Sequence, residues 1–208
     1  MLGYYNYTVW LTYLSLLSSL VGLGLASEGI ISGAVICLAL SGLFDAFDGK
    51  VARTKKNRTE TEKKYGIQID SLADVVCFGV LPAFIGFRSG LRGPAVILLL
   101  WFALAGLIRL AFFNVAEEER QKTTAENRKY YQGVPITSSS VILPLWYILT
   151  VLFPALPFEK GLYVLFPVLG TLFVLPVKVK KPSLKELIVL IVLVGGGVVF
   201  AVIKLLQN

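Results

Sequence analysis

The chain has 208 residues, of which 56% are hydrophobic and 16% charged, and its mean hydropathy is +0.74. So few charged side chains cannot coat a soluble globule, so composition excludes a soluble domain and points to a protein embedded in a bilayer. The net charge of +7 does not indicate nucleic acid, because the basic residues cluster beside apolar runs, where anionic lipid headgroups are the better partner.

In chain order, the first apolar run is Trp10 to Ala26, close to the roughly 20 residues that a bilayer-spanning helix needs. No basic n-region precedes it, so this span is expected to stay in the membrane. Tyr4, Tyr5 and Trp10 suit interfacial anchoring there, as do Trp146 and Tyr147 later in the chain. The second span is expected from Gly29 to Asp48, followed by a polar connection, Lys50 to Lys64, that holds seven Lys and Arg. Further spans are expected at Gly66 to Phe87, Pro94 to Val115, Ile136 to Ala155, Gly161 to Val177 and Leu184 to Leu206, giving seven in one domain over residues 1–208. Pro167 and Pro176 make Gly161 to Val177 the weakest of these, tilted, kinked or partly inserted. The runs lack the period-two alternation of a membrane barrel, so the expected fold class is all-α, a polytopic transmembrane helix bundle without strands. Cys37 and Cys77 fall inside spans with no CxxC spacing and read as small buried hydrophobes.

Orientation follows from the connections. Lys50 to Lys64, Arg120 to Lys129 and Lys178 to Lys185 alternate along the chain and together hold fifteen of the twenty Lys and Arg. The positive-inside rule makes that side cytoplasmic, with the N-terminus inside and the C-terminus outside.

There is no histidine, which removes the usual general base and the histidine metal sites. The only aspartates are Asp45, Asp48, Asp70 and Asp74, at two hydrophobic borders flanking one basic connection. The members of each pair, three and four residues apart, share a helix face, and consecutive antiparallel helices bring the pairs to one membrane depth. Close like charges near a bilayer require a cationic counterpart, and an all-oxygen site fits hard divalent ions such as Mg2+, Mn2+ or Ca2+. Gly49 and Gly66 leave room beside the carboxylates, and Arg53 adds a fixed cation, a combination suited to a diphosphate. Intramembrane carboxylates also mark ion paths, so an ion-binding or transport protein is the alternative from another class. Against it, the spans from Pro94 to Val115, Ile136 to Ala155 and Gly161 to Val177 carry no acidic residue, and Leu184 to Leu206 carries only Glu186 near its start.

These residues carry a resemblance. Asp45, Asp48, Gly49, Ala52, Arg53, Gly66, Asp70 and Asp74 match the D-x2-D-G-x2-A-R and G-x3-D-x3-D half-motifs of the CDP-alcohol phosphotransferases. The intervening Thr54 to Tyr65 is twelve residues, about one helical turn longer than is usual in the family. The resemblance implies transfer of a phosphate-linked group from a CDP-activated lipid to an alcohol, with release of CMP. It implies two divalent cations, Mg2+ or Mn2+, on Asp45, Asp48, Asp70 and Asp74, with Asp74 also the general base. It implies a CDP-lipid site formed by Asp45, Gly49, Ala52, Arg53 and Gly66, an active site at the cytoplasmic face of the cell membrane, and a homodimer.

The segments "DSLADVVCFGVLPA", "IRLAFFNV" and "YYQGVPITSSS" resemble the branch of the family whose acceptor is L-serine. The donor is then CDP-diacylglycerol or CDP-archaeol, and the product a phosphatidyl- or archaetidylserine. Arg109, Asn114, Gly133, Pro135, Thr137 and Ser138 become candidate serine-binding residues. Arg109 also reads as a snorkelling interfacial arginine, and Thr137 to Ser140 as helix-capping and packing groups. Only Arg53 and Arg109 lie as cations in the motif or a span by this reading, sparse for glycerol 3-phosphate or inositol phosphate, the alternative acceptors along with inositol.

Overall fold

The computed structural model describes residues 3–123 and 130–180, together with 186, 189, 192–197, 200 and 204. Helices α1 (Trp10–Ser27) and α2 (Ile31–Thr54) form an antiparallel hairpin around Gly29, whose positive φ of 84° suits glycine. Hydroxyls join the two helices in the interior: Ser15 Oγ donates to the Ser41 carbonyl at 3.1 Å, and Ser41 Oγ donates back to the Ser15 carbonyl at 2.9 Å. In an apolar medium such bonds fix helix register where hydrophobicity alone does not.

Helix α2 continues past the expected Asp48 to Thr54, so Gly49, Ala52 and Arg53 sit on a helix rather than in a connection. Helix α3 (Glu60–Asp74) likewise begins before the expected Gly66, because Thr59 and Glu62 form a reciprocal capping box. The long spacer is thereby divided between the added helix turns and a short loop.

Directly after Asp74 the helix widens into a π-helical stretch, Val75–Val80, then resumes as α4 (Leu81–Arg88). Pro82 contributes no N–H here, and Ser139 Oγ from α6 (Ser139–Leu152) donates to the Phe78 carbonyl at 3.0 Å. The π turn alters the register of the faces on either side of it.

Helix α5 (Val96–Thr123) runs beyond the expected Val115. Helix α7 (Phe158–Val174) packs along it, with Phe102 against Phe166 and Phe173 at ring separations of 5.0 and 5.3 Å. The absence of a side chain at Gly170 permits this approach, since a Cβ there would lie 3.1 Å from the Phe102 Cα. The weakest expected span is therefore a continuous helix with Pro167 inside it and Leu162, Phe166 and Phe173 buried. Helix α2 meets α6 as closely, since a side chain at Gly42 would run into Ser140.

Among the described residues, four helices are long and apolar enough to cross a membrane: Tyr7–Ser27, Ile31–Thr54, Glu60–Arg88 and Gly93–Arg120, with Ile136–Leu152 shorter. Residues 192–197 are helical, but most of the expected span Leu184 to Leu206 lies outside the described residues. The fold is the expected all-α membrane bundle with one correction. Strand β1 (Tyr130–Gln132) pairs antiparallel with β2 (Lys178–Lys180), tying the α5–α6 connection to the chain that follows α7. Gly133 ends this pairing with φ 75° and an N–H donated to the Val177 carbonyl at 2.8 Å.

Candidate active site

The four aspartates, two on α2 and two on α3, line one cleft. Asp45, Asp70 and Asp74 each offer a carboxylate oxygen, and these atoms lie within 4.8 Å of one another. Asp74 is buried, 8% exposed. Asp48 stands outside this tight group and accepts a hydrogen bond from Thr12 Oγ1 of α1 at 3.1 Å. Among the described residues, no Lys or Arg forms an ion pair with any of the four. Converging, largely buried carboxylates without a cationic partner fit a hard divalent ion, whose preferred ligands are oxygens.

Two clefts flank the carboxylates. The first, about 320 Å3, holds Thr8 and Thr12 on one side and Ala52, Arg58, Lys63 and Gly66 on the other. The second, about 420 Å3, holds Asp45, Asp74, Lys50, Arg109, Asn114 and Thr137. Asp48, Gly49, Arg53 and Asp70 line both, so they form the boundary between them. Asp48 and Asp70 thus stand where the two clefts adjoin, with Asp45 and Asp74 on the second.

The residues expected at a CDP-lipid site divide accordingly. Gly49, Ala52, Arg53 and Gly66 line the first cleft, whereas Asp45 lies on the second. Of the candidate serine-binding residues, Arg109, Asn114, Pro135 and Thr137 line the second cleft, while Gly133 and Ser138 are not among its walls. Gly133 serves the backbone instead: a Cβ there would lie 2.7 Å from the Phe173 carbonyl oxygen. Ser139 Oγ is used on Phe78, and Ser140 Oγ donates to the Thr137 carbonyl at 2.7 Å, the packing and capping roles.

Arg109 is not a snorkelling residue. It is 6% exposed, its Nε donates to the Val134 carbonyl at 2.9 Å, and its guanidinium lies 4.9 Å from the Phe113 ring centre. That geometry anchors the α5–α6 connection shortly before α6 and holds a positive charge at the cleft wall. Asn114 Nδ2 donates to Ser71 Oγ at 2.7 Å, joining α5 to the aspartate helix.

Sequence reasoning missed several wall residues, among them Lys50, Thr12 and Arg58. Lys50 lines the second cleft, and its ammonium is buried with no hydrogen-bond partner among the described residues, 4.9 Å from the Phe47 ring centre. The cation count of that cleft is therefore higher than Arg53 and Arg109 alone, and the argument from sparse cations is corrected. A signal was available, since Lys50 lies inside the first half-motif. Thr12 and Arg58 had no comparable signal, because each reaches the cleft from outside the motif residues.

Comparison with known proteins adds a family and relatives. Residues 5–176 match the family model described as CDP-alcohol phosphatidyltransferase. The chain is 41% identical over 107 residues to the CDP-diacylglycerol–serine O-phosphatidyltransferase of Saccharomyces cerevisiae, covering 50% of this chain and 37% of that protein. A protein of the same name from Helicobacter pylori is 39% identical over 108 residues, covering 50% and 40%. One from Methanocaldococcus jannaschii is 32% identical over 131 residues, covering 63% and 56%. These matches span less than two thirds of each relative's own length.

Proposed function

The chain belongs to the CDP-alcohol phosphatidyltransferase family, and from that premise we propose that it transfers the phosphatidyl group of a CDP-activated lipid to the hydroxyl of L-serine, releasing CMP. The observation that carries this reading is the division of the site. The motif residues Ala52 and Gly66 line one cleft, Asp74 and Arg109 line the other, and Asp48, Gly49, Arg53 and Asp70 line both. Two substrates, one on each side of a shared set of carboxylates, are what a direct transfer requires.

The nucleotide end of the donor occupies the first cleft, and serine occupies the second. Asp74, open only to the second cleft, takes the proton from the serine hydroxyl as general base. The serine oxygen then forms a bond to the lipid-linked phosphorus, in line with the anhydride oxygen. That P–O bond breaks, and its electron pair leaves on the phosphate of CMP. Asp45, Asp48, Asp70 and Asp74 would hold two divalent cations, Mg2+ or Mn2+, and such ions supply neutralisation of the charge that develops on the phosphoryl oxygens. Arg53, at the boundary, interacts with phosphate oxygens as a fixed donor. Arg109 and Lys50 provide positive charge for the serine carboxylate.

The names of the relatives support L-serine as the acceptor. A phosphorylated acceptor such as glycerol 3-phosphate is the second reading, favoured by one observation, the cations Lys50, Arg53 and Arg109 around a single cleft. The site lies at the cytoplasmic face by the charge of its connections. The donor's tails are diacyl or archaeol, and the assembly is a homodimer by family resemblance.

The test is CMP release by the purified protein from CDP-diacylglycerol and L-serine before and after chelation. The expected outcome is loss of release in excess EDTA and recovery on adding Mg2+ or Mn2+. Undiminished release in EDTA would refute the metal assignment.

A further inference from the structure

The connection between the two half-motifs is more than a spacer. Its loop, Lys55 to Thr59, is pinned from several directions by Glu62: Lys55 Nζ donates to Glu62 Oε1 at 2.6 Å, Asn6 Nδ2 to the same oxygen at 2.9 Å, and the Thr59 N–H to Oε2 at 2.9 Å. This pinning sets the position of one side chain, Arg58. Its Nη2 donates to the Glu62 carbonyl at 3.2 Å and lies where a Gly66 side chain would be, 2.6 Å from an ideal Cβ. Gly66 therefore makes room for a guanidinium, not only for a ligand.

Arg58 forms part of the wall of the first cleft, yet its Nε is buried without an acceptor among the described residues. A buried N–H without a partner is destabilising, and a ligand oxygen would relieve that cost. The cleft also carries Arg53 and Lys63, so the missing acceptor has an anionic character. An arginine held by one nitrogen and unpartnered at another, on the wall of a cleft, is arranged for a phosphate oxygen.

Resting on the donor-site reading above, we infer that Arg58 binds the phosphate of the cytidine nucleotide, the leaving-group phosphate rather than the one that is transferred. Arg58 is thus a donor-binding residue supplied by the loop between the half-motifs. The same guanidinium chemistry would recognise the phosphate of an anionic lipid headgroup or free inorganic phosphate, and the test separates these sources.

Binding of CMP, cytidine and inorganic phosphate is measured by calorimetry on the full chain in neutral detergent with Mn2+, with and without added phosphatidylglycerol. Arg58→Ala is expected to weaken CMP binding roughly ten-fold or more while leaving cytidine binding unchanged. Arg58→Gln, which keeps much of the side chain's bulk, serves if the alanine variant unfolds, with the same expected pattern. Neither variant is expected to need phosphatidylglycerol to show its effect. An unchanged CMP affinity, or an equal loss for CMP and cytidine, would overturn the assignment while leaving the donor site standing. So would an effect confined to inorganic phosphate or seen only with the anionic lipid. Failure of the wild-type chain to bind CMP at all would overturn both this inference and the donor-site reading.

Discussion

At the scale of single residues, aspartates of one chemical type differ by where they face. Asp74 opens only to the second cleft, whereas Asp48 borders both and is held by Thr12. Asp74→Asn is therefore expected to retain CMP binding while lowering kcat by about 10²–10⁴, the usual loss on removing a general base. Asp48→Asn is expected to weaken CMP binding as well. Calorimetry and initial rates on the two variants check this, and normal turnover by Asp74→Asn would show that the base is elsewhere. Lys50, whose ammonium lies in the second cleft without a partner among the described residues, gives a complementary expectation. Lys50→Met should raise the serine KM by roughly ten-fold, the size of a charge-assisted hydrogen bond, with CMP affinity unaltered. Equal effects on serine and CMP would remove Lys50 from the acceptor side.

At the scale of elements, the loop carrying Arg58 depends on Glu62. Glu62→Ala removes the capping box together with the Asn6 and Lys55 bonds. The Thr59 side chain still caps the residue 62 N–H, but the Thr59 N–H, Asn6 and Lys55 lose their shared partner, and local opening should rise several-fold. Trypsin should then cut at Lys55, Lys56 or Arg58 faster than in the wild type. An unchanged cleavage rate would mean that the loop is held by something other than Glu62.

The eight motif positions were legible in the sequence because their spacing is local: three or four residues along a helix fix a common face whatever the rest of the chain does. The helix limits were less legible. Hydropathy marks where apolar residues stop, but α2 and α3 continue into polar sequence, α3 because Thr59 and Glu62 cap it. The π turn after Asp74 leaves no mark in a hydropathy profile, since Val75 to Val80 is apolar in either geometry. Strands β1 and β2 were missed because their pairing joins positions some fifty residues apart, such as Tyr130 and Lys180, within polar connections. Arg58 illustrates the same limit, since only the folded loop brings it to Gly66.

At the scale of the molecule, the described parts of the three basic connections gather at the aspartate end. The loop at Lys55 leads into α3, and β1 pairs with β2 beside Gly133. The opposite end is marked by Arg88, whose Nε donates to the Ala26 carbonyl at 3.0 Å, and by Gly90 close to Glu159. Cysteines placed at Thr59 and Glu159 should therefore be labelled by an impermeant thiol reagent from opposite faces of oriented membranes, Thr59 from the cytoplasmic one. Native Cys37 and Cys77 are buried and give little background. The reverse pattern would invert the orientation, and labelling of both sites from one face would contradict the count of spans between them.

The central claim is that a CDP-lipid on one side of the carboxylates is attacked by serine from the other. It is tested most directly by supplying purified protein with CDP-diacylglycerol, Mn2+ and either labelled L-serine or labelled glycerol 3-phosphate, and counting CMP and lipid-soluble label together. One CMP is expected for each serine entering the lipid fraction, with little CMP from glycerol 3-phosphate or without an acceptor. Lipid-soluble label from glycerol 3-phosphate and none from serine would contradict it.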